Sequence, residues 1–254
     1  MKALVTGATS GIGLEMARYL ASLHCDLILV ARNKEKLLDV LKELEQITNV
    51  KIVAADLSRE SKVKELYVLL KNDDIDILIN DAGFGILGEF TDTSLDDELE
   101  MIDLNVRAVH ILTKLFLKDM KKKNSGYILN VSSMAAFAPG PLMATYYSTK
   151  SYIYKLTISL YEELRKEKSK VSVSVLCPGH MPTGFDKRAG LPEVNVGIKP
   201  EKAAKIAIDK MFKKKLVIIP EKGVKFCVFM LRFMPIKMVG RIMYRLESYK
   251  RVKK

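Results

Sequence analysis

Residues 1–13 read MKALVTGATSGIG. The apolar run Lys2–Val5 has the length and character of a short buried strand. It breaks at Thr6-Gly7, and an amphipathic stretch follows over residues 12–23. Strand, glycine turn and helix in that order are the first half of a parallel crossover unit. Gly7 permits a tight turn, Gly11 removes a side chain where a ligand approaches the backbone, and Gly13 lets helix and strand pack closely. Such a turn aims the free N–H groups and positive dipole end of the helix at whatever anion lies above it. Thr9, Ser10 and Ile12 complete the turn and join the three glycines as candidate phosphate-binding residues.

The pattern repeats along the chain. Strands are predicted at 2–5, 26–30, 50–54, 75–79, 126–131, 171–176 and 216–219, and helices near 12–23, 34–47, 59–71, 95–121, 146–168 and 200–213. Leu37, Leu38, Leu41, Leu44 and Ile47 fall on one side of the second helix. Most of the strands are apolar throughout, as strands covered on both faces must be. Strand–helix alternation with right-handed crossovers gives an α/β fold, a doubly wound parallel sheet. Ligands bind such sheets beyond the carboxyl ends of the strands.

Composition sets the outer limits. The 254 residues are 48% apolar and carry no linker or repeat, which fits one large domain. Three scattered cysteines and three scattered histidines give neither a disulfide framework nor a metal-ligand cluster, so no metal site is expected. Residues 1–5 do not read as a signal peptide, and no apolar stretch is long enough to span a bilayer. A cytoplasmic protein is the expectation. The net charge of +12 is uneven: residues 224–254 hold nine basic side chains against Glu247 alone, a net of +8. A basic tail without a base-reading motif does not point to specific nucleic-acid binding.

The residues after the remaining strands sharpen the ligand. At the end of the second strand, an acidic residue would read a ribose 2′-hydroxyl; Ala31 and Arg32 stand there instead. A guanidinium suits a 2′-phosphate, so the expected cofactor is NADP(H). Asp56 either meets the adenine amino group or caps the next helix. Asn80-Asp81-Ala82-Gly83 follows the fourth strand, with Gly83 allowing close passage of the cofactor.

Ser133 follows the fifth strand, and Tyr146 and Lys150 stand one helical turn apart thirteen residues later. A phenol titrating near pH ~10 is a poor base at neutrality. An ammonium one turn away, with oxidised nicotinamide as a second positive charge, would lower that value and make proton transfer feasible. Ser133 would hydrogen-bond the substrate oxygen.

The order of these motifs resembles the short-chain dehydrogenase/reductase family, in its branch of about 250 residues, over residues 1 to about 220. The resemblance rests on Thr6-Gly7-xxx-Gly11-x-Gly13, Asn80-Asp81-Ala82-Gly83, Asn105, Ser133, Tyr146-xxx-Lys150 and Pro178-Gly179 with Thr183. It implies a Rossmann-like fold and an NADP-linked oxidoreductase acting on carbonyl and secondary alcohol groups. It further implies Tyr146 as general acid/base, Lys150 on the nicotinamide ribose, Ser133 orienting substrate and Asn105 holding a water in a proton relay. Pro178, Gly179 and Thr183 would contact the nicotinamide end, and family members are commonly dimers or tetramers. Asp81 departs from the family's usual asparagine; on this reading it alters sheet bracing and leaves catalysis untouched. The alternative, a redox sensor that binds NADP(H) without turnover, would not need all four of Asn105, Ser133, Tyr146 and Lys150.

Residues 134–145 and the loop 180–198, with Met181, Phe185, Leu191, Val194, Val196 and Ile198, are expected to select substrate. Phe84, Ile86 and Leu87 would add a wall. Their apolar character suggests an apolar or lipid-like carbonyl compound. Residues 1–220 would form the catalytic domain and 221–254 a basic helical extension. The tail repeats apolar residues at three- and four-residue spacing from Phe226 to Leu246, split by Pro235. Its apolar face either packs on the body or a second subunit, or rests on an anionic membrane surface.

Overall fold

The computed structural model describes residues 1–191 and 197–252. Seven strands alternate with helices: β1 Lys2–Thr6, α1 Gly11–Ser22, β2 Asp26–Ala31, α2 Lys34–Leu44, β3 Val50–Ala54, α3 Glu60–Leu70 and β4 Ile77–Asn80. Then come α4 Leu95–Ile102, a π-helical segment Asp103–Ala108, α5 Val109–Lys123, β5 Tyr127–Val131, a 3₁₀ turn Met134–Phe137, α6 Ala144–Lys166 and β6 Ser172–Leu176. Last are α7 Phe185–Ala189, α8 Pro200–Phe212, β7 Val217–Ile218, α9 Lys222–Leu231 and α10 Ile236–Val252.

All strands are parallel, in the order β3-β2-β1-β4-β5-β6-β7. The order reverses between β1 and β4, and the crevice at that reversal is where such sheets take ligands. Strand residues alternate between two cores. Leu4, Ile28, Leu78 and Ile128 face one side, and Val5, Leu29, Ile79 and Leu129 the other. Central strands are therefore buried on both faces, whereas edge strand β3 leaves Lys51 exposed.

Two expected helices differ from the sequence reading. In α2 the buried face is Leu37, Val40 and Leu44, while Leu38 and Ile47 are exposed. The helix ends at Leu44, so Ile47 cannot extend its stripe. The span 95–121 is not one helix: a π segment interrupts it at Asp103–Ala108. Such insertions frequently mark functional positions, and this one contains Asn105.

A chain of buried polar side chains ties the sheet to the helices. Asn80 donates to Asn130 Oδ1 at 2.8 Å and to Thr113 Oγ1 at 3.1 Å. Asn130 Nδ2 donates onward to Thr157 Oγ1 at 3.0 Å, and Thr157 donates to the Ile153 carbonyl at 2.8 Å. β4, β5, α5 and α6 are thereby fixed to one another. Asn80→Ala strips Asn130 and Thr113 of a buried donor; it should cost about 1–3 kcal/mol, read as a lower urea midpoint at unchanged slope.

Candidate active site

At the carboxyl edge of the sheet lies a cleft of about 470 Å³. Its floor is the first turn: Gly7, Thr9, Ser10, Gly11 and Ile12 all line it. Gly7 has φ +73°, a conformation side chains disfavour. Gly13 does not line the cleft. A Cβ there would strike Asp81 Oδ2 and the Gly7 carbonyl, so its smallness serves close packing beneath the floor.

Arg32 lines this cleft. Its Nη1 lies 3.0 Å from Glu100 Oε1. Arg188, which sequence reasoning missed, places Nη2 3.3 Å from the same oxygen and stacks 3.8 Å over the Phe84 ring. Lys36 lines the same wall. Two guanidinium groups thus share the Glu100 carboxylate, with Lys36 also lining the cleft, a donor set suited to a phosphate. With the glycine floor and the N-terminus of α1, these residues fit a phosphorylated dinucleotide. Asp56 is committed to its own turn, accepting from Ser58 N at 3.2 Å and Ser58 Oγ at 2.8 Å; Ala55 and Leu57 form the wall there. Asn80 corrects an expectation: it is buried in the brace between β4 and β5, behind the cleft, while Ala82 and Gly83 do line it.

On the opposite side Ser133, Tyr146 and Lys150 converge, all lining the cleft. Ser133 accepts from Ala135 N at 3.1 Å, which fixes its own orientation. Lys150 is buried and donates to the Val131 carbonyl at 3.0 Å, with its Nζ 5.8 Å from the Tyr146 ring centroid. Asn105 is buried behind them. Its amide accepts from Phe84 N at 3.1 Å and donates to Phe84 O at 2.8 Å and Thr149 Oγ1 at 3.1 Å. Its side chain thus pins the 83–84 backbone to α6 rather than reaching into the cleft.

The electrostatics differ from the sequence expectation. The protein's own groups push the Tyr146 phenol up to about 12, chiefly through burial. The neighbouring Ser133 hydroxyl opposes this, and the carboxylates of Asp81 and Glu247 reinforce it. Lys150 does not overcome them, because burial also weakens its own hold on a proton. Asp81 is therefore not confined to sheet bracing. Burial raises its pKa while the Lys150 charge pulls it back, and its carboxylate acts in turn on Lys150 and Tyr146.

Pro178, Gly179 and Thr183 line the near wall. The Gly179 N–H is held by Glu221 at 3.2 Å, and Thr183 Oγ1 accepts from Phe185 N at 3.3 Å at the start of α7. Phe84, Met134, Met143, Phe185 and Leu191 supply an apolar end. Ile86 and Leu87 pack into the core instead, and Ile198 packs against the opposite core. Val194 and Val196 lie outside the described residues.

The least foreseeable wall residue is Glu247. The tail's lone acid turns inward on α10, is 1% exposed, lines the cleft and accepts from the Tyr147 hydroxyl at 2.9 Å. The tail is therefore seated against the body and contributes to the cleft.

The short chain dehydrogenase family profile matches residues 1–193. The chain belongs to that family. An uncharacterised oxidoreductase of Staphylococcus aureus strain USA300 is 31% identical over 225 residues, 88% of this chain and 96% of that protein. A short-chain dehydrogenase from Sphingobium yanoikuyae, solved with NADPH, is 29% identical with TM-score 0.82, covering 87% of this chain and 88% of its own. A short chain dehydrogenase/reductase from Burkholderia phymatum, solved with NAD, is 25% identical with TM-score 0.83, covering 89% and 91%. This dehydrogenase is thus an oxidoreductase with a Rossmann-like fold, in a family whose members hold either nicotinamide cofactor.

Removing the Glu247 charge should make the Tyr146 phenolate easier to form. In Glu247→Gln the rising limb of the pH profile for alcohol oxidation should move to lower pH by ~0.5 unit or more. An unmoved limb would show that the tail carboxylate does not act on the tyrosine.

Proposed function

We propose that the protein is an NADP(H)-dependent oxidoreductase that interconverts a carbonyl group and a secondary alcohol on an apolar substrate. The observation that carries this reading is the convergence of Ser133, Tyr146 and Lys150 in the same cleft as the glycine floor and the Arg32–Arg188 pair. When bound, the nicotinamide supplies or accepts the hydride at the substrate carbon. Everything else falls to the chain. Arg32 and Arg188 would exchange Glu100 for a 2′-phosphate, and the N–H groups at the start of α1 would meet the pyrophosphate. Lys150 would turn to the nicotinamide ribose. Ser133 and Tyr146 would hold the substrate oxygen, and the tyrosine hydroxyl would donate its proton there as the carbon is reduced.

The phenol, held protonated by burial and two carboxylates, is in the form that donates to the substrate oxygen when the carbonyl is reduced. The apolar walls from Phe84, Met134, Met143, Phe185 and Leu191 fit a hydrocarbon-rich ketone or aldehyde. NADPH oxidation should be followed at 340 nm across apolar ketones, aldehydes and 3-oxoacyl thioesters. Tyr146→Phe should lower kcat by about 10²–10⁴-fold with NADPH binding retained, as loss of a general acid requires. Undiminished turnover in that variant would remove the tyrosine from the mechanism.

A further inference from the structure

We propose that the outer face of the α9–α10 tail is a docking surface for an anionic lipid bilayer. The observation is the way α10 divides its residues. Val239, Met243 and Glu247 recur every four residues and face the body: Val239 is 3% exposed, Glu247 1%, and Met243 packs on the core. One position earlier, Met238, Ile242 and Leu246 form a second stripe that is 45%, 40% and 54% exposed. One position earlier again, Lys237, Arg241 and Arg245 form a third, also exposed. Residues four apart lie on one helix face, so an apolar and a basic stripe, about 100° apart, both run along the outside of the helix.

The preceding helix and the turn after it are also apolar on the outside. Phe226, Phe229 and Phe233 are 64%, 53% and 70% exposed, and the last two rings touch edge to face at 5.2 Å. Val228 alone on that helix is buried, against the body. So many large apolar side chains left exposed on one segment of a folded chain mark a contact surface.

Charge chooses the occupant. The tail from residue 224 carries nine basic side chains, and its one acid, Glu247, is turned into the cleft. A second copy would bring the same positive excess to the interface. A negatively charged bilayer surface complements it, taking the aromatic side chains at headgroup depth and the arginines and lysines at the phosphates. No helix among the described residues is long and apolar enough to cross a membrane, so the tail would lie along the surface.

The full chain should be sedimented with phosphatidylcholine vesicles, with and without phosphatidylglycerol. It should co-sediment only when phosphatidylglycerol is present, and release as salt rises. Replacing Lys237, Arg241 and Arg245 together by Glu should weaken binding at least about tenfold. The proposal fails if the unmodified chain stays in solution with both vesicles, or binds both equally at every salt concentration. It also fails if Phe226→Ser, Phe229→Ser and Phe233→Ser together convert a dimer to a monomer in light scattering without changing sedimentation. Sedimentation does not read turnover, so its failure would leave the oxidoreductase reading standing.

Discussion

The site depends on a short line of buried amides and hydroxyls, Asn80 to Asn130 to Thr157, running across the sheet into α6. Helices on a parallel sheet are otherwise held by apolar contact, which has no direction and tolerates sliding. Hydrogen bonds between β4, β5 and α6 set the height of α6 above the sheet edge, because an unmade buried bond is costly. Tyr146 and Lys150 start that helix, so their distance from the glycine floor follows from it. Asn105 applies the same logic from the π segment, clamping the Phe84 backbone to Thr149 one residue before Lys150.

Within this frame the charges oppose one another. Burial disfavours the phenolate at Tyr146, the ammonium at Lys150 and the carboxylate at Asp81. Asp81 and Lys150 offset each other, and two carboxylates leave the tyrosine with its proton. Asp81 thus acts electrostatically at the centre of the site. The tail adds to it: Glu247 arrives from a hundred residues beyond Tyr147 and forms the second carboxylate.

What could be read from the sequence follows from range. Residues at strand ends are placed by local rules, so Gly7, Arg32, Gly83, Ser133 and the Tyr146–Lys150 pair could be expected in one cleft. Asn80 shared that neighbourhood, but it is the last residue of β4, in register with Thr6 and Asn130, and lies in the brace. Glu100, Arg188, Glu221 and Glu247 reach the site through tertiary packing, for which no local spacing gives a signal. The tail's amphipathic repeat was legible. Which stripe turned inward was not, because three stripes offset by one residue share one period, and only the body's surface distinguishes them.

The most direct test of the account is a nicotinamide fluorescence titration of the protein with NADPH and NADH, repeated on Arg32→Ala. The account predicts that NADPH binds at least about tenfold more tightly than NADH, and that the variant loses most of this preference while still binding NADH. Equal or tighter binding of NADH by the unaltered protein would contradict the assignment of the Arg32–Arg188 pair to a 2′-phosphate. Binding of neither nucleotide would contradict the reading of the cleft as a whole.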